Sequence, residues 1–124
     1  MRSFIKAIVF TGVITSTLPF NAVGQKDLIK EKLELREANA AMNAGDFVEA
    51  RKIYLRYLNE NPKNGEYASL VAQCFFELGE YEEAILVLNN AVKSHHRAEL
   101  YYQLSNCYLN LKDQEKGNEM LLHA

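Results

Sequence analysis

The chain has 124 residues, of which 48% are hydrophobic and 24% charged, with 14 basic and 16 acidic side chains and a formal net charge of −2. That balance suits one small helical or globular domain and excludes a disordered tail. It also excludes the strongly basic surface that a nucleic-acid partner would need.

Residues 1–24 differ from the rest. Arg2 and Lys6 make a short positive start, an apolar stretch from Ala7 to Leu18 follows, and Ala22-Val23-Gly24 sets small residues at both ends of a cleavage triplet. This is the pattern of a signal peptide, which implies an exported compartment, the periplasm or cell envelope; the rival reading is an uncleaved membrane anchor. The apolar part is shorter than the roughly 20 residues a membrane span requires, so no stable span is expected after cleavage. Removing the leader leaves 12 basic against 16 acidic side chains, a net of −4. A nucleic-acid partner is therefore disfavoured further, because a mildly acidic chain has no long-range attraction for phosphate.

From Lys26 to Ala44 the chain reads as one helix whose charges of both signs, Lys30, Glu31, Lys32, Glu34, Arg36 and Glu37, form a solvated face. Gly45-Asp46-Phe47-Val48-Glu49-Ala50 follows it. The same chemical types return 34 residues later as Gly79-Glu80-Tyr81-Glu82-Glu83-Ala84, and more weakly after another 33 as Lys112-Asp113-Gln114-Glu115-Lys116-Gly117. A period of this length marks stacked supersecondary units. Leu70, Val71, Cys74, Phe75 and Leu78 recur at helical spacing before Gly79, and Tyr81, Ala84, Ile85, Leu88 and Ala91 do so after it, so each unit is a pair of helices. Gly79 suits the turn because a residue that ends a helix often takes positive φ. Asp46 and Asn64 are placed to cap the helices after them, and Pro62 ends the helix predicted from Phe47 to about Asn59.

The 34-residue unit, with its Gly-acid-aromatic turn, an Ala three residues after the aromatic, and Asn61-Pro62 at its close, resembles the tetratricopeptide repeat. The resemblance implies an all-α solenoid of helix-turn-helix repeats, at about 31–64, 65–97 and 98–124, the last one partial, within a domain spanning 25–124. Glu34 and Glu37 stand where the family usually buries apolar residues. The resemblance further implies a non-enzymatic scaffold or adaptor that binds a protein or peptide partner in its concave groove, in an envelope or secretion assembly. The alternative is a bracing module of a larger envelope protein with no separate ligand.

The stripe of each first helix that would line the groove follows from the period: Leu35, Asn39, Met42 and Asn43, then Glu66, Ser69, Gln73 and Phe76, then Glu99, Tyr102, Asn106 and Leu109. Amides that bond a peptide backbone alternate there with side chains that bury apolar groups. The competing expectation is that a neighbouring helix covers part of the stripe. The family's groove for terminal carboxylates would place its clamp on Leu35, Asn39, Leu70, Glu99 and Gln103. Only Asn39 matches, and Glu99 would repel the ligand.

Cys74 and Cys107 fall at one place in the repeat, where the first copy has Ala40, and read as small buried residues. Equivalent helices lie at least about 8–10 Å apart, too far for a disulfide, whose Cα atoms lie within about 7 Å. His95 and His96 read as a solvated turn rather than metal ligands. No phosphate loop, His-Glu-x-x-His, Gly-x-Ser-x-Gly or Cys-x-x-Cys is present. No catalytic residue, metal or cofactor is therefore expected. Met120, Leu121 and Leu122 form an apolar end, expected to meet further repeats, a partner or a second copy.

Overall fold

The computed structural model describes the backbone of residues 13–124 and the side chains from Gln25 onward. Residues 1–12, the first half of the predicted leader, lie outside the described residues. Six α-helices and no strands occur among the described residues: α1 Val13–Ala44, α2 Phe47–Glu60, α3 Gly65–Glu77, α4 Tyr81–Val92, α5 Ala98–Asn110 and α6 Gln114–His123. Helix α1 starts well before the expected Lys26 and takes in both Pro19 and Gly24, which cost a helix interior about 3 and 1 kcal/mol. No described helix is long and apolar enough to cross a membrane.

The backbone divides into two units, residues 1–34 and Leu35–Ala124. The second unit is an array of three helical hairpins, in which each helix from α2 onward packs against the next and α3 also meets α5. Gly45 and Gly79 turn the first two hairpins at φ of 83° and 78°, in the left-handed region that a Cβ disfavours. At the equivalent place in the third hairpin stands Lys112, with φ of 66°. That strain costs about 1–2 kcal/mol. We expect Lys112→Gly to stabilise the array by about 1 kcal/mol, measured as a higher urea midpoint; an unchanged midpoint would contradict a strained turn.

Asp46, Asn64 and Asp113 each cap the helix that follows, their side chains accepting the N–H of Glu49, Tyr67 and Lys116. The Asp46 N–H bonds the Ala41 carbonyl at 2.8 Å, and the Glu49 carboxylate meets Lys52 at 3.5 Å. Two apolar clusters fill the array. One joins Ala38 of α1, Ala50, Ile53, Tyr54 and Tyr57 of α2, and Val71 and Cys74 of α3. The other joins Ala68 and Ala72 of α3, Ala84, Leu88 and Ala91 of α4, and Leu100, Leu104 and Cys107 of α5. Small residues sit where paired helices touch: Ala50 and Ala84 are fully buried, and a Cβ on Gly117 would come within 2.6 Å of Leu109 Cδ2. The Ser105 hydroxyl is buried without a hydrogen-bond partner, where the other copies have Ala38 and Ala72.

The departures in the first repeat have a packing reason. Val71 and Leu104 are buried against the preceding hairpin, whereas α1 is the first helix of its unit and leaves the equivalent Glu37 exposed. For the same reason Ala40 is exposed, although its equivalents Cys74 and Cys107 are buried. Both cysteines are free thiols. Burial pushes each thiol up to about 11, so neither carries appreciable thiolate at neutral pH. Because the folded value lies above the unfolded one, this contribution is complete below about pH 9 and fades as pH rises toward 11. A disulfide-exchange dye at pH 8 should label both thiols at the rate of unfolding and at once in denaturant; rapid labelling of the native chain would contradict their burial.

The turn before α5 is not simply solvated. The His95 ring lies over Gly65, where a Cβ would approach it to 3.1 Å, and its Nε2 meets the Lys63 carbonyl. It thereby ties the loop after α4 to the loop after α2. At the far end Met120 packs against the second cluster, while Leu121 and Leu122 are exposed.

Candidate functional site

The first helices of the three hairpins lie side by side: Met42 of α1 meets Cys74 of α3, and Ser69 of α3 meets Gln103 of α5. The positions between their apolar rows form a wall. Within it, the expected groove residues have three different fates.

Asn39, Asn43, Glu66, Glu99, Tyr102 and Asn106 are exposed. Asn39 is nonetheless engaged: its side-chain carbonyl accepts the Tyr54 hydroxyl, which is otherwise buried. Burial raises the Tyr54 phenol above its usual value, with the Cys74 thiol adding to the effect, so the hydroxyl stays a donor. The role of Asn39 is therefore to satisfy α2, at least in part.

Leu35, Met42, Gln73, Phe76 and Leu109 are half-buried. Leu35 and Met42 pack on the first cluster, and Met42 Sδ is 3.6 Å from Cys74 Sγ. Phe76 meets the Tyr81 ring edge-on at 5.2 Å, and Leu109 folds over Gly117. Of the equivalent positions Met42, Phe76 and Leu109, the last two close their own hairpins, whereas Met42 reaches the next one.

Ser69 alone among the twelve is buried. It sits at the contact between α3 and α5, its hydroxyl 3.0 Å from Gln103 Oε1 and 3.1 Å from Glu99 Oε2. One hydroxyl proton serves these two acceptors in turn. Gln103 also donates to the Ser69 carbonyl at 3.1 Å. Ser69 thus joins two hairpins and is not an open groove surface; the neighbouring helix covers it, and serine is small enough to let α3 and α5 approach.

Beside this polar joint a crevice of about 110 Å³ opens between α3 and α5. Ala72, Leu88 and Cys107 form its apolar floor; Gln73, Phe76, Gln103 and Asn106 line the rest. Three expected residues, Gln73, Phe76 and Asn106, come together here. The floor residues were not among the expected groove positions, and Gln103 was expected only as a place of the family's carboxylate clamp, because helical period assigns each residue to one face and a crevice draws from two. Gln103 had a signal: it lies 34 residues from Ser69, so adjacent copies put the two side chains at neighbouring places.

A second concavity, about 300 Å³, lies on the opposite side between α2 and α4 and is lined by Leu55, Leu58, Pro62, Leu86 and Val87 among others. Among the described residues, no three His, Cys, Asp or Glu side chains are grouped to hold a metal ion.

Comparison with known proteins agrees with this architecture. A family model described as tetratricopeptide repeat matches residues 35–99, and another of the same description matches 98–124. Tetratricopeptide repeat protein 21B of mouse and of human are each 34% identical over 86 residues, 69% of this chain. The chain spans only 6% of the length of those relatives. Among solved structures, the first TPR of Spaghetti (RPAP3) bound to the HSP90 peptide SRMEEVD superposes with a TM-score of 0.70 at 19% identity, over 76% of this chain and 75% of that one. The MamA crystal structure gives 0.67 at 21% identity, over 75% of this chain and 51% of that one. The first TPR domain of human RPAP3, solved by NMR, gives 0.69 at 18% identity, over 75% and 74%. At such identities the structures speak for the fold.

Proposed function

The chain belongs to the tetratricopeptide repeat family, and from that premise we propose that it is a scaffold whose α1–α3–α5 wall holds an extended segment of a protein partner. The crevice between α3 and α5 carries this reading. At about 110 Å³ it is smaller than the roughly 300–1,000 Å³ of small-molecule sites, yet it suits one side chain of a peptide whose backbone lies across the wall. The amides of Gln73, Gln103 and Asn106 around an apolar floor supply the matching chemistry. A likeness to a structure holding the HSP90 peptide SRMEEVD supports peptide binding as the mode; it does not extend to that peptide's acidic chemistry, since Glu99 stands in this wall.

The leader-like residues 1–24 support an exported setting, so the partner would be a protein of the envelope or of a secretion assembly. Mass spectrometry of the chain from its native host should find Gln25 as the first residue; a retained Met1 would count against export with cleavage.

The binding proposal is tested on the wall itself. A displayed random-peptide library panned on the chain should yield binders whose capture falls at least about tenfold with Asn106→Phe, which roofs the crevice, and less with Gln73→Ala. Circular dichroism should stay unchanged in both variants. Undiminished capture by Asn106→Phe would move the site off this wall. Asn39 is a poor choice for such a test, because removing it strands the Tyr54 hydroxyl.

A further inference from the structure

The wall's charges say what kind of peptide it takes. Helices α3 and α5 contain no Lys or Arg. They contribute three carboxylates, Glu66, Glu77 and Glu99. Arg97, just before α5, lies 3.1 Å from Glu99 Oε1 and offsets a single charge. Arg36 is exposed on α1, a helix that contributes no residue to the α3/α5 crevice.

The carboxylates flank the crevice. Glu77 is held 2.8 Å from Gln73 Nε2, on the crevice's own rim. Glu99 stands two turns before Asn106 on α5, about 10 Å along the axis. Its carboxylate is fixed by Arg97 and Ser69, yet its side chain remains 57% exposed. Tyr102, one turn on and 54% exposed, presents an aromatic ring beside it. A carboxylate and an open aromatic face one turn apart suit a lysine or arginine, which bonds the first and lies against the second. An acidic segment would meet like charge at Glu66, Glu77 and Glu99.

We infer that the partner is a basic peptide segment, which sets one aliphatic side chain in the α3/α5 crevice and a lysine or arginine about three residues away against Glu99 and Tyr102. The spacing follows from the 10 Å between them and roughly 3.3 Å per extended residue. This rests on the wall being a peptide site.

The test uses four labelled nonapeptides read by fluorescence anisotropy on the full chain. The first has a central Leu with Lys three residues to either side; the second replaces both Lys by Glu; the third replaces Leu by Ser; the fourth moves each Lys next to the Leu. The first should bind at least about tenfold more tightly than the second and third, more tightly than the fourth, and more weakly as salt rises. The Glu66→Gln/Glu77→Gln/Glu99→Gln variant, checked for helicity, should lose the preference over the second peptide while keeping that over the third. Equal or tighter binding of the Glu peptide, with sensitivity to Asn106→Phe intact, overturns the basic-partner inference and leaves the wall as a peptide site. Equal affinity for the first and fourth peptides overturns the assigned spacing. Flat titrations for all four overturn both the inference and the peptide-wall reading.

Discussion

Replacing Leu88 by alanine should lower the unfolding free energy by about 2–5 kcal/mol, seen as a fall in the urea midpoint at unchanged slope. Leu88 is fully buried in α4, within the cluster it shares with Ala68 and Ala72 of α3 and with Leu100, Leu104 and Cys107 of α5. Truncating it removes apolar contact from three helices at once and leaves a void that their backbones close only in part. A single domain has only about 5–15 kcal/mol in total, so the variant should melt far below the parent chain. It should also deepen the crevice, whose floor includes Leu88. Leu86, two residues away on the same helix, is 71% exposed; Leu86→Ala should stay within about 0.5 kcal/mol. If the two substitutions cost the same, the assignment of Leu88 to the core is wrong.

The second large effect should come from enlarging a side chain. Ala84 is fully buried where α4 meets α3, as Ala50 is in the hairpin before it and Gly117 in the hairpin after it. At the last of these, one added carbon would already reach Leu109 at 2.6 Å. Ala84→Leu should therefore force the helices apart and cost about 1–3 kcal/mol or more, with loss of a sharp unfolding transition and gain of a dye that binds exposed apolar surface. The comparison variant is Ala84→Gly, which creates no clash and costs about 1 kcal/mol through helix propensity. Should leucine prove milder than glycine, close approach at this position is not what holds the hairpin.

Both predictions concern the family's shared frame, whereas peptide choice depends on the residues between. Glu99 and the absence of Lys and Arg from α3 and α5 make this wall unlike one suited to a terminal carboxylate. The same helices that the core clamps in place therefore set the sign of the charge offered to a partner.

By itself the sequence determined what is local or periodic. The 34-residue recurrence, the glycines at 45 and 79, the caps at Asp46 and Asn64 and the alternating apolar rows act over four residues or fewer, or repeat at fixed distance. Each is legible without knowing what lies opposite. The tertiary structure decided what depends on a neighbour 15 to 34 residues away: that Ser69 is buried against Gln103 and Glu99, that Asn39 answers Tyr54, that His95 rests on Gly65, and that Glu37 stays exposed. A helix's period says which residues share a face; only the helix packed beside it decides which of them remain open to a partner.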